Sequence, residues 1–328
     1  MLLKPSRFQV FATVALTLLG IGQAIAGDLF SPEVLGALII NRDNLASAFR
    51  GFKTSYQGAF DAVTPMWDRV ATLVPSTSAA EDYGWLGALP QLREWIGDRH
   101  VKSLEAFGYT IKNKPFEATI GISRNDYEDD KYGLYANTFA QMGNNAASHP
   151  DTLVFPLLAA GNTSLCYDGQ YFFDTDHPVG SGTVSNWGGG SGSGWYLLDT
   201  RKPIKPLVYQ KRRPYDLVQM TDTTDEAVFM RGEFRYGVDG RGNAGYGLWQ
   251  LAYGSKQTLD QTNLDAAFVA MESFKDSEGR PLLVSPNLLV VGPTNRSAAT
   301  KLIESQKLAD NSANPLYKRA EILVVPWL

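Results

Sequence analysis

Apolar residues recur at three- and four-residue steps from Leu45 through Phe49, Phe52, Tyr56 and Phe60 to Val63, a spacing that predicts an amphipathic helix ending before Pro65. The Ser- and Ala-rich stretch 75–82 then reads as a loop. A different period follows. Phe107, Tyr109 and Ile111 alternate with polar residues, Asn113 and Pro115 interrupt, and Phe116, Ala118, Ile120 and Ile122 alternate again, which predicts a β-hairpin over 107–122. Its other face carries Lys112, Lys114, Glu117 and Thr119. A two-stranded ribbon is marginal alone in water, so this one needs a surface to lie on.

A long helix is expected next, over 126–160. Asn125 with Glu128 resembles a capping box, and Tyr135, Phe139, Met142 and Ala146 continue one apolar face. His149-Pro150 predicts a kink or restart, and Gly161 a stop. After Cys166 the pattern becomes β-rich and irregular. The run 188–194 (Gly-Gly-Gly-Ser-Gly-Ser-Gly) predicts an exposed flexible loop, with strands at 207–210, 227–238 and 248–253. The C-terminal third alternates: a helix through Leu264, Ala267, Phe268 and Met271, a strand over 282–291, a helix over 298–308 and a closing strand over 321–325. No repeat at solenoid period occurs, and the order lacks steady βαβ alternation, so the fold class is α+β.

Composition narrows the chemistry. The 30 Lys and Arg against 34 Asp and Glu leave a net charge of -4, which excludes a surface built to neutralise phosphates throughout. A single cysteine, Cys166, excludes an intramolecular disulfide, and three histidines leave few general bases or metal ligands. Residues 1–27 have the layout of a secretory signal: Lys4 and Arg7, an apolar run from Phe8 to Ile21, then Ala24-Ile25-Ala26. The run is short for a membrane span, so no membrane anchor is expected.

Gly240-Arg-Gly242-Asn-Ala-Gly245 matches a dinucleotide fingerprint. Alternating Phe234, Tyr236 and Val238 ahead of it, and Tyr246 and Trp249 behind, point instead to a glycine-rich β-turn. Asp174, Asp176 and His177 could bind a cation or hold a catalytic base of an exported hydrolase, against which a structural turn is the favoured reading. Cys166 has no basic neighbour in sequence and reads as a structural thiol. No catalytic residue, cofactor or metal is therefore expected. The chain holds 7 Trp, 15 Tyr and 16 Phe, several of them beside arginine as in Arg93-Glu-Trp95-Ile-Gly-Asp-Arg99. Aromatics with arginine are enriched where proteins meet, which favours self-assembly and makes Arg93, Trp95, Arg99, Lys112, Lys114, Phe116 and Glu117 the interface candidates.

Several long stretches carry a family likeness: Gly51-Phe-Lys-Thr-Ser-Tyr-Gln-Gly-Ala-Phe60, Tyr83-Gly-Trp-Leu-Gly87, Arg93 to Arg99, Ile111-Lys-Asn-Lys-Pro-Phe-Glu117, Asp168-Gly-Gln-Tyr-Phe-Phe-Asp-Thr-Asp-His-Pro178, Asn243-Ala-Gly-Tyr-Gly-Leu-Trp-Gln-Leu-Ala252 and Ala320-Glu-Ile-Leu-Val-Val-Pro-Trp-Leu328. From about Leu38 to Leu328 the chain resembles the major head (major capsid) subunits of Mu-like phages and prophages, the gpT family. The resemblance implies the Hong Kong 97-type phage capsid fold. Residues 38–98 would form an N-terminal arm and the start of a peripheral domain, 99–124 an extended loop, 125–165 the spine helix, and 166–328 an axial domain with returning peripheral strands. It also implies hexamers and pentamers closing an icosahedral shell around double-stranded DNA held non-specifically. The implied partners are a scaffold or protease, a portal and decoration proteins, with assembly in the host cytoplasm. Residues 1–37 then stand as an extension or misassigned start, and a mature chain beginning at Gly27 or Asp28 would speak for export instead.

Overall fold

The computed structural model describes residues 42–83, 86, 108–129, 133–222, 224–308 and 310–328. These fall into two compact units: the described residues up to 58, of 119–142 and of 217–237 form one, and those of 59–118, 143–216 and 238–328 the other.

The predicted first helix forms as α1, Arg42–Ala62, and ends ahead of Pro65. In the first unit its Phe52 stacks on Phe139 at 4.4 Å, and both rings meet Tyr236 edge-on at 5.5 and 5.2 Å. Tyr127 packs edge-on against Phe234 beside them. Phe234 and Tyr236 belong to a long strand whose residues alternate between buried and half-buried, as period-2 spacing requires. The core of this unit is thus aromatic, and each such pair adds about 0.5–1.5 kcal/mol beyond its buried area.

In the second unit, β1 (Ala71–Pro75) leads to a short ribbon of β2 (Ala80–Asp82) and β3 (Thr110–Lys112), paired antiparallel with Ala80 opposite Lys112 and Asp82 opposite Thr110. β4 (Lys114–Ser123) follows after one residue. The expected hairpin between these last two strands does not form: β3 pairs with β2, while β4 joins a four-stranded sheet of order β1-β9-β10-β4, where β9 is Leu207–Met220 and β10 is Glu233–Tyr246. A two-residue turn is the usual minimum for chain reversal between paired strands, and Asn113 alone cannot supply it. Asn113 instead redirects the chain. It is buried, its amide N–H donates to Ala79 O, and its Nδ2 donates to Ser76 Oγ (2.7 Å) and Ser78 O (2.9 Å). Gln210 Nε2 donates to Asn113 Oδ1 (2.8 Å), and Tyr83 Oη donates to Gln210 Oε1 (2.8 Å). Buried polar groups in such a closed network are costly to disturb singly.

The next helix begins one residue pair earlier than expected. α2 is Arg124–Asp129, and its cap is Ser123, whose Oγ accepts from Asp126 N at 3.1 Å, in place of Asn125. α3, Leu134–Ala160, runs on through both Pro150 and Pro156, so the helix does not restart at His149-Pro150. Each interior proline removes a backbone donor. Beside Pro150 the buried Asp151 carboxylate accepts the amides of Met66 (3.0 Å) and Trp67 (2.7 Å), anchoring that turn to the chain ahead of β1. Gly161 then ends the helix, as predicted.

A five-stranded sheet of order β13-β12-β8-β11-β7 forms the rest of this unit: β7 Trp187–Gly190, β8 Trp195–Leu198, β11 Ala252–Lys256, β12 Leu288–Val291 and β13 Glu321–Val324. The central β8 and β12 are buried at every position, which explains their unbroken apolar runs. α5 (Gln261–Glu272) lays Leu264, Ala267, Phe268 and Met271 into the core, and α6 (Arg296–Glu304) adds Ala299 and Ile303. Asp260 caps α5 by accepting from Asn263 N at 2.9 Å.

Glycine produced two errors of expectation. The run at 188–194 is the expected exposed loop only from 191 on; it begins as strand β7, with Gly188 and Gly190 lying so near β11 that a Cβ at 188 would sit 2.7 Å from Ser255 Oγ. Gly190 also has φ +94 and its Cβ would strike the Lys256 backbone. Gly240, Gly242 and Gly245 lie inside the continuous strand β10 and form no turn; a Cβ at 242 would sit 2.6 Å from Gln210 O. In both places glycine serves close strand approach, a role that spacing alone does not distinguish from a loop. The strand expected at 227–238 is divided: α4 (Glu226–Arg231) comes first, closed by Gly232 at φ +61, and β10 starts at Glu233.

Candidate functional site

Past Gly161 the chain folds into a tight β-hairpin, with Leu165 bridged to Tyr171 and the Cys166 amide donating to Gln170 O. Its Asp168-Gly169 turn, with Gly169 at φ +84, points the Asp168 carboxylate inward. There Asp168 Oδ2 meets His177 Nδ1 at 2.7 Å, Asp168 Oδ1 accepts the Cys166 thiol at 3.1 Å, and Gln170 N donates to the same oxygen at 3.1 Å. His177, the first residue of β5 (His177–Val179, paired with β6, Gly182–Val184), is 0% exposed. Its ring lies flat on Trp249 at 3.9 Å, and Nε2 meets Asn186 Oδ1 at 3.2 Å.

Burial opposes ionisation of Asp168 most strongly, yet the hydrogen bonds from His177, Cys166 and Gln170 together hold its carboxyl below the usual carboxylate range. Burial, reinforced by the Asp168 charge, pushes the Cys166 thiol far up, so it is an inert structural thiol as expected. Ligand atoms of Cys166, Asp168 and His177 lie within 4.8 Å of one another, a spacing a tetrahedral cation could use. Each of them is already engaged in the hydrogen bonds above, so the arrangement serves as a tie between the hairpin and β5.

The predicted trio of Asp174, Asp176 and His177 is not brought together. Asp174 turns its carboxylate to the amides of Tyr171 and Thr175, Asp176 is exposed, and His177 is sealed beneath Trp249. The hydrolase reading therefore has no support. Asp168, the carboxylate that His177 does find, is signalled in the sequence only by a turn: Asp-Gly between two apolar pairs, Leu165-Cys166 and Tyr171-Phe172.

Among the interface candidates, Arg93, Trp95 and Arg99 lie outside the described residues. Lys112, Lys114 and Glu117 are exposed, and Phe116 is half-buried with its ring 4.4 Å from that of His149. His149 Nδ1 also meets Tyr215 Oη at 2.6 Å, and burial lowers the pKa of this imidazole. Sequence reading also passed over Phe229 and Met230 on α4, 80% and 70% exposed. Two large apolar groups in succession are thus left in water on one short helix. No helix among the described residues is long and apolar enough to cross a membrane.

The α+β architecture is that of a phage capsid protein of the Hong Kong 97 type. It superposes on a chain of the procapsid of bacteriophage JBD30 with a TM-score of 0.79 at 46% identity, covering 88% of this chain and 100% of that one. Against the JBD30 capsid the TM-score is 0.72 at 34% identity, with 88% and 99% coverage. The chain belongs to the family of Mu-like prophage major head subunit gpT, whose profile matches residues 45–328. It is 40% identical over 284 residues to the Mu-like prophage FluMu major head subunit of Haemophilus influenzae, covering 83% of this chain and 92% of that protein. It is 38% identical over 305 residues to the major capsid protein of Escherichia phage Mu, covering 89% and 100% respectively. Its function is accordingly that of a major capsid subunit of the Mu-like type.

Proposed function

We propose that this chain performs no catalysis and works only by contact with its own copies, closing as hexamers and pentamers into an icosahedral shell around double-stranded DNA. The reading rests on the match along the full length of the JBD30 procapsid chain. Many modest contacts, repeated over a closed shell, add up to a particle far more stable than any one interface. A net charge of -4 suits a wall that contains DNA without gripping it. Assembly in the host cytoplasm, with scaffold or protease, portal and decoration proteins as partners, belongs to the same reading, and residues 1–37 are then an extension to the working subunit.

We assign the spine helix to α3, the peripheral domain to the four-stranded sheet, and the axial domain to the five-stranded sheet with α5 and α6. Because β3 pairs with β2 and not with β4, we assign the extended loop to the segment between β2 and β3 in place of the 99–124 that the resemblance implies. The exposed Lys112, Lys114 and Glu117, with Phe116 beside them and Arg93, Trp95 and Arg99 in that segment, are contact residues between subunits.

Expression of the full chain tests this. Negative-stain electron microscopy is expected to show shells, tubes or capsomers, and Lys112→Glu with Lys114→Glu to reduce them. A chain that stays monomeric across concentration and salt would overturn the proposal.

A further inference from the structure

The hairpin described above has an inner and an outer side. Inside, Cys166, Asp168 and His177 lock it to β5. Outside, the directly bridged pair Leu165 and Tyr171 remains 59% and 43% exposed. Directly bridged residues share one face of a ribbon with their Cβ atoms about 5 Å apart, so the two form one continuous apolar spot. The buried tie below holds that spot rigid, which lowers the entropy lost when something docks on it.

The charge of the hairpin selects its partner. Residues 161–176 contain neither lysine nor arginine, and with Asp168 buried in the tie they present the half-buried Asp174 and the exposed Asp176. Nucleic acid would be repelled. A basic face with apolar stems is complementary, and this chain carries one. Gln210 touches Asn113 at 2.8 Å, and both are buried. Their chain neighbours Lys211, Lys112 and Lys114 are all exposed, so the contact between Gln210 and Asn113 brings three exposed lysines into one neighbourhood. A lysine stem can cover a leucine or tyrosine while its ammonium reaches a carboxylate or lies over the ring.

We propose that this hairpin of one copy seats Leu165 and Tyr171 on the Lys112, Lys114 and Lys211 strip of a second copy, with Asp174 and Asp176 facing the lysine ammoniums. Such a contact joins two different surfaces, the head-to-tail type that closes rings. The proposal rests on the reading of Lys112 and Lys114 as subunit contacts and adds what meets them.

The full chain carrying Leu165→Ser and Tyr171→Ser is expected to melt as the parent does when unassembled, because both side chains are exposed, and to lose shells by about tenfold or more through the repeated contact. Tyr171→Cys with Lys211→Cys, treated with a bismaleimide, is expected to give covalent dimers in assembled shells; the parent, whose one thiol is buried, is expected to give none. The linking result decides the matter even if the serine variant fails to fold. Undiminished assembly of a folded serine variant, or shells without linked dimers, would overturn the hairpin seat. If Lys112→Glu with Lys114→Glu blocks assembly while the hairpin variants assemble, the lysines stand as contacts and only the hairpin falls.

Discussion

The ring of Phe173 is held between two glycines. It is 1% exposed, stacked on Tyr196 at 5.3 Å and on Trp187 at 6.1 Å. A Cβ on Gly161 would sit 2.7 Å from its Cε2, and one on Gly254 would sit 2.9 Å from Cγ. Ordinary contact starts at 3.4 Å, so for Gly161→Ala the Cε2 corner would have to retreat by about 0.7 Å (3.4 less 2.7) and the still nearer Cδ2 by more, against about 0.5 Å for Gly254→Ala (3.4 less 2.9). It has little room to move, since each glycine leans on the same ring, Tyr196 beside it is buried and Trp187 is half-buried. Overpacking of this kind costs about 1–3 kcal/mol, and Gly161→Ala should fall at the upper end, about 2–3 kcal/mol. At roughly 2–4 °C per kcal/mol, the unassembled subunit should melt about 4–12 °C lower. The decisive measurement is a double-mutant cycle with Phe173→Ala by urea denaturation. That change alone should cost about 3–5 kcal/mol, while adding Gly161→Ala to it should cost almost nothing. If Gly161→Ala costs the same with and without the ring, steric conflict is not the reason for glycine there and the reasoning fails.

Other outcomes follow from the same structure. Asp168→Asn removes a carboxylate whose folded-state pKa lies below normal; that group stabilises the fold above the usual carboxylate range and ceases to do so as pH falls below it. Denaturation midpoints between neutral and acid pH should therefore fall less steeply in the variant than in the parent. Glu81, which accepts from Ser76 Oγ, Thr77 N, Ser78 N and Ser78 Oγ, is pulled down to about 2, so its contribution should persist until pH falls from about 4.5 toward 2. An NMR titration should give that low midpoint, moving up in Ser76→Ala. Asp260→Ala should cost about 1 kcal/mol by loss of the α5 cap, measured by urea denaturation. Gly190→Ala should yield insoluble protein on expression, since both its φ and its space are forbidden to a side chain.

Elements with strong local signals were legible in the sequence. α1, β4, α3 and α5 announce themselves through their apolar spacing, and Gly161 stops α3 where expected. Strand partners were not legible, because pairing depends on residues far away: β4 meets β10, more than a hundred positions on, and only the shortness of the Asn113 link hinted that β3 would turn elsewhere. Glycine was misread for a related reason. Gly190 and Gly242 are required by backbones that approach from β11 and β9, and nothing adjacent to them in sequence reveals that approach. At the hairpin site, His177 was singled out with the wrong companions. Local clustering suggested Asp174 and Asp176, while the Asp168-Gly169 turn brought a carboxylate from nine residues upstream.

The Asn113 corner has a practical consequence. Residues 83–109 begin and end at a pair of strands pinned by the Ser76, Asn113, Gln210 and Tyr83 network, so their ends stay together whatever lies between. For a tether closed in this way, doubling the intervening length costs only about 0.6 kcal/mol of closure entropy. The base, which holds the register, and the length of chain that it closes are thus separable quantities. Foreign peptide spliced in after the buried Leu86 and before β3 can change that length while β2 and β3 keep their register.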